Sequence, residues 1–370
     1  MLITGGRAPV ALDLARKFAR RGARVVVAES VSAQLCGRSR AVARTHRVPP
    51  PRQRPAAFVA ALADIVRREE IDLIVPTCEE IFAVSRGLDA LPCEVLAAPL
   101  QVLRRLHSKW EFIEAARALG LPVPATWLIT SPRDLADIPR PYVLKPVFSR
   151  FGTQVRTVRD SPPAVHISAE QPWVAQEFLT GQQICTYSVA SGGRLLAHAA
   201  YATEFTAGPG ACIAFEPCDQ PEIEAWVRRF VKGFPADGHI AFDFIVTDAG
   251  EALPLECNPR ATSGVHLLGD ELADLMFGAL PAQTLRPAAD ARAMIAMAMF
   301  SFGLASVRSR RELRRWTQVV RGSYDVIAVP GDRRPFWAQF AVLGHNLWQA
   351  ARTHRSPIAC STSDIEWDGQ

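Results

Sequence analysis

Residues 241–260 read AFDFIVTDAGEALPLECNPR, and the predicted architecture is arranged around this stretch. Two short apolar runs flank the turn-forming sequence Thr247-Asp248-Ala249-Gly250, a pattern that predicts a β-hairpin. Each run carries one acid, Asp243 in the first and Glu256 in the second, and the turn would place the two carboxylates opposite each other. Taken alone, the stretch is also compatible with a hairpin whose acids are solvated.

Two more polar side chains continue the second strand of the hairpin. Asn258 and Arg260 follow Glu256 at intervals of two, so the three side chains share one face of the strand. Two carboxylates and an amide oxygen are hard ligands of the kind that hold Mg²⁺ together with substrate phosphates. We therefore predict that the hairpin, residues 240–260, binds Mg²⁺, or Mn²⁺ as a substitute, through Asp243, Glu256 and Asn258.

Composition bounds the class of protein. A chain of 370 residues is too long for one compact core, so two or three domains are expected. A hydrophobic content of 49% excludes general disorder, and the net charge of +5, from 42 basic and 37 acidic residues, does not signal a nucleic-acid partner. We expect a soluble, cytoplasmic protein with no nucleic-acid partner.

Cysteine usage and hydropathy agree with that expectation. The eight cysteines form no CxxC pair, which favours reduced thiols over disulfides or a zinc site. No charged-then-apolar leader precedes the first predicted strand, and the longest apolar run, residues 293–307, is interrupted and too short to span a bilayer. Membrane contact is therefore not expected.

The N-terminal residues predict an α/β domain. Residues 2–27 spell a strand, a Gly5-Gly6 turn, an amphipathic helix and a second strand, the opening of a doubly wound sheet. A dinucleotide site would need GxGxxG here, but Arg7 and Val10 stand at the second and third glycine positions. Glu29, just after the second strand, keeps open a different class of protein, a nucleotide-binding regulatory or dehydrogenase-like one.

Three polar residues follow the next predicted strand of this domain. Thr77, Glu79 and Glu80 come directly after the apolar run 71–76, at the strand end where open α/β sheets bind ligands. The alternative is a solvated helix start, where acids are favoured by the helix dipole. The sequence leaves the roles of Glu79 and Glu80 open.

The middle of the chain carries two lysines in structured contexts. Lys109 lies near the start of a helix predicted over residues 103–119, and Lys145 lies in a strand predicted over residues 141–146. The loop 149–153, with small residues and exposed backbone N–H groups, follows that strand and could bind phosphate. Each lysine taken alone is compatible with simple solvation.

Four motifs in order resemble the ATP-grasp superfamily, the fold of D-alanine:D-alanine ligase, biotin carboxylase and the carbamoyl phosphate synthetase large subunit. They are Ser108-Lys109-Trp110, Leu144-Lys145-Pro146, Gln176-Glu177-Phe178-Leu179, and Asp243 with Glu256-Cys257-Asn258-Pro259-Arg260. The resemblance implies an α/β fold that is α+β in the nucleotide half. Its expected parts are a Rossmann-like pre-ATP-grasp domain, residues 1–98; an ATP-grasp domain, residues 99–280, with its nucleotide-binding lid at about 141–205; and a mostly helical C-terminal extension, residues 281–370.

The resemblance also implies roles for single residues. Lys109 and Lys145 would contact the ATP phosphates, and Ser149 and Gly152 would belong to a loop that closes over them. Arg260 would face the phosphoryl group during transfer, and with Lys145 it is the expected catalytic residue.

At the other end of the nucleotide, Glu177 would accept a hydrogen bond from the adenine amino group, and the backbone of Leu179 would pair with the ring. Gln183 stands where the family usually has a ribose-binding glutamate, and it can still hydrogen-bond a hydroxyl.

The activity implied is that of a ligase that forms C–N bonds. ATP would phosphorylate a small carboxylate, an amine or amino acid would displace phosphate from the acyl phosphate, and ADP and phosphate would be released. An ATP-grasp kinase and a carbamoyl phosphate synthetase-type enzyme are the alternatives on the same fold. A homodimer is compatible with the sequence.

The C-terminal region carries no further family motif. Residues 293–307 predict a buried segment, and the arginine-rich run 308–321 predicts a solvated helix face. An apolar stripe at helical spacing follows, made of Phe336, Phe340, Leu343 and Leu347 with Trp337 and Trp348 beside it. We expect the stripe to pack on the ligase domains or on a second subunit; an anionic membrane surface is the alternative. His266 could be structural or could contact substrate.

Overall fold

The computed structural model describes residues 1–149, 154–208 and 211–369. Gly152, predicted to act in the phosphate loop, lies outside these ranges. In the described part of the chain, no helix combines the length and apolar character needed to cross a membrane. All eight cysteines are free.

A parallel sheet with helices on both faces forms the N-terminal unit. Its strands are β1 Leu2–Thr4, β2 Val26–Glu29, β3 Arg44–Arg47, β4 Leu73–Val75 and β5 Glu94–Val95, and its helices are α1 Pro9–Arg20, α2 Pro55–Glu69 and α3 Ile81–Arg86. The strand order is β3-β2-β1-β4-β5, all parallel. Ile3 belongs to the core on the α1 side and Leu2 to the core on the α2 side, so β1 is buried on both faces. The doubly wound α/β prediction is confirmed.

A break interrupts the helix predicted over residues 103–119. The segment forms α4, Leu100–His107, and α5, Glu111–Ala118. The Ser108 hydroxyl accepts from the Glu111 backbone N–H at 3.1 Å, and the Lys109 backbone N–H donates to the Val147 carbonyl at 3.1 Å. The backbone at Lys109 is thereby tied to the neighbouring sheet, so the single-helix prediction was wrong and the lysine lies between two helices.

The small antiparallel sheet that follows holds the second predicted lysine. Its strands are β6 Thr126–Ile129, β7 Tyr142–Pro146, β8 Arg156–Val158 and β9 Trp173–Glu177, in the order β6-β9-β7-β8. Tyr142 and Leu144 are fully buried on one face of β7. Lys145, on the other face, is buried as well and points away from that core.

The larger antiparallel sheet contains the predicted hairpin. The elements of this region are β10 Gly181–Ser191, β11 Arg194–Ala202, β12 Thr206–Ala207, β13 Ala211–Cys212, β14 Ala214–Phe215, α6 Pro221–Gly233, β15 Gly238–Thr247, β16 Ala252–Asn258 and α7 Glu271–Met276. The sheet order is β11-β10-β15-β16. Helix α6 packs Trp226 and Phe230 against Phe242 of β15 and Phe112 of α5, with ring centroids 5.3 to 6.2 Å apart. This aromatic core fixes the back of the hairpin and leaves its other face to the site.

The C-terminal extension is mostly helical, as predicted. It comprises β17 Ala293–Met294, α8 Ala296–Ala298 with a π-helical turn Met299–Gly303, α9 Arg310–Gly322, β18 Tyr324–Asp325, α10 Arg334–Thr353 and α11 Pro357–Cys360. Met294 and Met299 are buried, but Phe300 and Phe302 are about half exposed, so the prediction of a buried segment over 293–307 was wrong for its second half.

Helix α10 turns its aromatic stripe outward. Trp337 is 71% exposed, and Phe340, Leu347 and Trp348 are about half exposed. The face packed against the protein carries Pro335, Ala338 and Gln339 instead, with the partly buried Val342 in the core on the α1 side. Most of the stripe therefore does not pack on the rest of this chain. The expectation that it packs on the ligase domains was wrong. Its periodicity marked an apolar face without showing which face the neighbouring elements cover.

The end of the chain folds back onto the N-terminal unit. Arg7 forms ion pairs with Glu29 at 2.5 Å and with Asp364 at 2.7 Å, and Arg16 pairs with Asp332 at 2.8 Å. The pairs with Asp364 and Asp332 join α1 and the turn before it to the C-terminal extension. They also occupy the Glu29 carboxylate, the group on which the dehydrogenase-like alternative depended.

Candidate active site

The hairpin brings the two predicted metal-binding acids face to face. Asp243 of β15 is the register partner of Glu256 of β16, and the ladder is irregular directly after Asp243. The amide Nδ2 of Asn258 donates to Oε1 of Glu256 at 3.3 Å. Burial, followed by the negative charge of Glu256, raises the pKa of Asp243. The two carboxylates thus share a site in which their charges repel, and a bound cation would relieve that repulsion.

Two buried lysines approach the same acid. Lys109 Nζ lies 3.5 Å from Glu256 Oε2 and donates to the Ser149 carbonyl at 3.1 Å. Lys145 Nζ donates to Gln176 Oε1 and to the Leu255 carbonyl, both at 2.9 Å. The lysines come from different elements, one from the break between α4 and α5 and the other from β7. Their convergence on one strand of the hairpin creates a strongly charged corner.

The charges in this corner shift each other's protonation. Burial lowers the pKa of Lys145 to about 8, although the charge of Glu256 opposes the shift. For Glu256, burial alone would raise the pKa, but the positive charges of Lys109 and Lys145 outweigh it and the pKa is lowered. Glu256 is therefore ionised between the two lysines.

These residues surround one end of a cavity of about 610 Å³. The predicted site residues that line it are Lys145, Ser149, Glu177, Leu179, Gln183, Asp243, Glu256, Asn258 and Arg260. Lys109 stands behind the lining and reaches it through its contacts with Ser149 and Glu256. All the predicted site residues line this one cavity, except Lys109 and Gly152, which lies outside the described residues.

The opposite end of the cavity is formed where β9 ends. Glu177, Phe178 and Leu179 line the cavity beside Gln183 of β10. One carboxylate oxygen of Glu177 accepts from the Ala125 backbone N–H at 2.9 Å. The acceptor for an adenine amino group would therefore be the other carboxylate oxygen or the main-chain carbonyl of Glu177.

The family of the central region follows from comparison with known proteins. Residues 106–264 match the ATP-grasp domain family. The matched stretch includes the break at Lys109, the small sheet, the hairpin and Arg260. Residues 106–264 are an ATP-grasp domain. The outer boundaries at residues 98 and 280 stay predictions.

Solved structures with the ATP-grasp domain share this overall fold. The chain superposes on L-amino acid ligase from Bacillus licheniformis with a TM-score of 0.57 and 16% identity, covering 74% of this chain and 68% of that one. For N5-carboxyaminoimidazole synthetase from Staphylococcus aureus, complexed with ADP, the TM-score is 0.61 at 12% identity, with 76% and 78% covered. For the biotin carboxylase domain of 2-oxoglutarate carboxylase from Hydrogenobacter thermophilus, in complex with MgADP, it is 0.60 at 13% identity, with 77% and 71% covered.

The donor set of the ATP-grasp domain fits a hard divalent cation. Within the described residues there is no cluster of three or more His, Cys, Asp or Glu side chains placed to hold a metal. The predicted set consists of two carboxylates and an amide oxygen, which suits Mg²⁺ because that ion usually takes one or two carboxylates and completes its shell with phosphate oxygens and water.

The N-terminal unit contributes a buried acid to the ATP-grasp site. Glu79 Oε1 lies 3.8 Å from Arg260 Nε, and Glu79 Oε2 accepts from the Trp367 backbone N–H at 3.2 Å. Glu80 accepts from the Thr4 hydroxyl at 2.7 Å and from the backbone N–H of Thr77 at 3.1 Å. The alternative of a solvated helix start was wrong for both acids, since each is at most 2% exposed. Glu80 ties two strand ends together, and Glu79 borders the arginine.

His266 borders the ATP-grasp cavity but has a structural partner. Its Nδ1 lies 2.8 Å from Asp13 Oδ2, and Asp13 also accepts from Lys17 at 2.9 Å. The imidazole packs against Phe215 with ring centroids 5.4 Å apart. The buried network supports the structural interpretation of this histidine.

One part of the cavity wall was not predictable from the sequence. Side chains of the C-terminal extension line the same space, among them Val342, His345, Asn346 and Ile365. They lie far along the chain from the ATP-grasp motifs, and no local pattern connects the two regions. A signal existed for the break at Lys109, because Ser108 and Glu111 have the S-x-x-E spacing that marks a helix start.

Proposed function

We propose that this chain is an ATP-dependent carboxylate–amine ligase that works through an acyl phosphate. The observation that carries the proposal is the convergence of Lys109, Lys145 and Glu256 beside Asp243 at one end of the cavity. Buried cations next to a pair of carboxylates match the needs of a nucleotide triphosphate and its metal. The likeness to a ligase, to an ADP-bound synthetase and to a MgADP-bound biotin carboxylase domain supports the same class.

The nucleotide would lie between the small sheet and the large one. Glu177 and Leu179 would bind the adenine ring, Gln183 the ribose, and Lys109, Lys145 and Ser149 the phosphates. Asp243, Glu256 and Asn258 would hold Mg²⁺, which when bound would neutralise charge on the β- and γ-phosphates. Arg260 would stabilise the phosphoryl group during transfer, since a fixed cation in a water-poor site is effective against developing charge.

The chemistry follows in two steps. A carboxylate oxygen of the substrate attacks the γ-phosphorus of ATP, and the bond to the bridging oxygen breaks to release ADP. The amine nitrogen then attacks the acyl carbon, phosphate leaves with the electrons of the C–O bond, and the nitrogen gives up a proton. The cavity wall shields the acyl phosphate from water between the two steps.

Product analysis tests this proposal directly. With ATP, Mg²⁺, a carboxylate and hydroxylamine in place of the amine, we expect ADP, phosphate and a hydroxamate in equal amounts. AMP and pyrophosphate would refute the mechanism. ADP with a stable phosphorylated product and no hydroxamate would indicate the kinase alternative, and ATP turnover that needs bicarbonate would indicate a carbamoyl phosphate synthetase-type enzyme.

Nucleotide choice provides a second prediction. Glu177 accepting from the adenine amino group should favour ADP over GDP by about five- to 150-fold, because guanine presents a carbonyl there and two acceptors would face each other unpaired. Calorimetry with the two diphosphates measures the ratio. Equal affinities would argue against the adenine site, and saturable NADH binding without ADP binding would restore the dehydrogenase-like alternative.

A further inference from the structure

The C-terminal extension forms one side of the cavity that contains the proposed catalytic groups. Val342, His345 and Asn346 of α10 line it, and so do Thr362 and Ile365 beyond α11. Lys145, Glu256 and Arg260 line the same space from the ATP-grasp domain. The extension is thus a wall of the active cavity.

This wall is held in a defined position. The Arg7 guanidinium donates to the Ser361 carbonyl at 3.0 Å and pairs with Asp364 at 2.7 Å. Three residues further on, the Trp367 indole stacks on Phe82 of the N-terminal unit, with ring centroids 4.3 Å apart and planes at 11°. A segment with buried charge pairing on one side and aromatic stacking on the other does not behave as a loose tail.

The wall combines apolar and polar side chains. Among the described residues after 280, those that line the cavity include no Asp, Glu, Lys or Arg. Val342 and Ile365 face a cavity whose N-terminal side carries Val10 and Val31. Arg7 also borders it, but its guanidinium is already bound to two carboxylates. A ligand in this half therefore meets these apolar side chains together with several polar ones.

We propose that the C-terminal extension forms the subsite for the carboxylate substrate, and that this substrate carries an apolar group. The inference rests on the proposed function. The carboxyl group has to reach the γ-phosphate beside Arg260, and the nucleotide lies between the two sheets of the ATP-grasp domain. The remainder of the substrate would then occupy the space between the N-terminal unit and α10. Burial of an apolar group in that space would stabilise the complex.

Hydroxamate formation measures this preference without knowledge of the natural amine. Hydroxylamine serves as the amine, and only the acid is varied, in two series: acetate, 4-methylpentanoate, 3-phenylpropanoate and succinate; and glycine, leucine, phenylalanine and glutamate. In the series that reacts, we expect the acids with an apolar group to exceed the smallest acid in kcat/KM by about tenfold or more, and the dicarboxylic acid to be the poorest.

Two variants of α10 connect the preference to the wall. Val342→Asp should lower kcat/KM for the apolar acid by about tenfold or more, while the Kd for ADP stays within about twofold of the native value. Leu343→Asp is the matched control, because its side chain is next in the helix, 44% exposed and absent from the cavity lining. Asn346→Leu adds no charge and should strengthen the preference for apolar acids. This variant still tests the subsite if Val342→Asp fails to fold.

The outcomes separate this inference from the proposed function. Hydroxamates that form best from acetate, glycine or the dicarboxylic acids would overturn the inference and leave the ligase intact. So would apolar preferences that neither Val342→Asp nor Asn346→Leu alters. The absence of hydroxamate and of acid-dependent ADP in both series would count against the ligase itself, and the subsite would be rejected with it.

Discussion

Glu256→Gln is expected to lower ATP-dependent turnover by about a hundred- to a thousandfold while the protein remains folded. The substitution keeps the size of the side chain but removes the charge that lies between Lys109 and Lys145 and opposite Asp243. The proposed metal site would lose one of its two carboxylates, and the two lysines would lose the negative charge that they share. Steady-state turnover measured across a Mg²⁺ titration gives the size of the effect.

The matched control for this variant lies in the same hairpin. Glu251→Gln removes an exposed acid next to the turn that is not part of the cavity lining, and should leave turnover unchanged. Thermal unfolding of both variants checks the fold. Near-native turnover of Glu256→Gln with an unaltered Mg²⁺ dependence would be incompatible with the proposed site.

Arg7→Met is expected to reduce the free energy of unfolding by about 3–5 kcal/mol. The guanidinium is 10% exposed and pairs with Glu29, which is 2% exposed, and with Asp364, which is 15% exposed. Methionine retains much of the apolar stem but leaves two largely buried carboxylates side by side without a cation. Urea unfolding at neutral pH measures the loss.

Arg20→Met is the comparison for this prediction. Arg20 is the last residue of α1, the helix that follows Arg7, and pairs with Asp270 through two hydrogen bonds, but the arginine is 50% exposed and the aspartate 33%. Exposed pairs contribute about 0–1 kcal/mol, so this variant should be near native. Equal destabilisation by the two substitutions would show that the position of Arg7 under the C-terminal segment has no special importance.

The same ion pair gives the tail contact a dependence on pH. Burial alone would raise the pKa of Asp364, but its hydrogen bond to Arg7 and the charge of that arginine outweigh burial, and the pKa is lowered. A carboxyl group with a lowered pKa contributes stability that is present above its ordinary pKa of about 3.9 and is lost as the pH falls through the folded-state value. The stability gap between native protein and Arg7→Met should therefore shrink below about pH 4.

The hairpin and its ligands were predictable because the information is local. Two apolar runs, one turn and a strand period of two place Asp243, Glu256 and Asn258 on one face without knowledge of any distant contact. The same reasoning gave the first βαβ unit. Local pattern also explains the error at Lys109, where two helical sequences adjoin and a serine cap between them decides the break.

The rest of the site depends on contacts that no local pattern carries. Arg7 pairs with Asp364 across 357 residues of sequence, and no motif around either residue predicts that contact. Glu79 is buried and accepts a hydrogen bond from the backbone of Trp367, 288 residues away, so an acid that the local sequence suggests is solvated is in fact enclosed. For α10, the helical period predicted an apolar stripe but not whether it faces solvent or the protein. That orientation depends on the surface against which the helix packs.

The contact between Arg7 and Asp364 has a consequence for the order in which the chain is made. A ribosome makes the N-terminal unit and the ATP-grasp residues before residues 357–365 exist, so the cavity acquires this wall only after those later residues have been made. A nascent chain held at residue 356 would present the nucleotide and metal residues beside an open substrate side. Under the proposed mechanism, water would then reach the acyl phosphate, and such a chain would hydrolyse ATP without forming the amide.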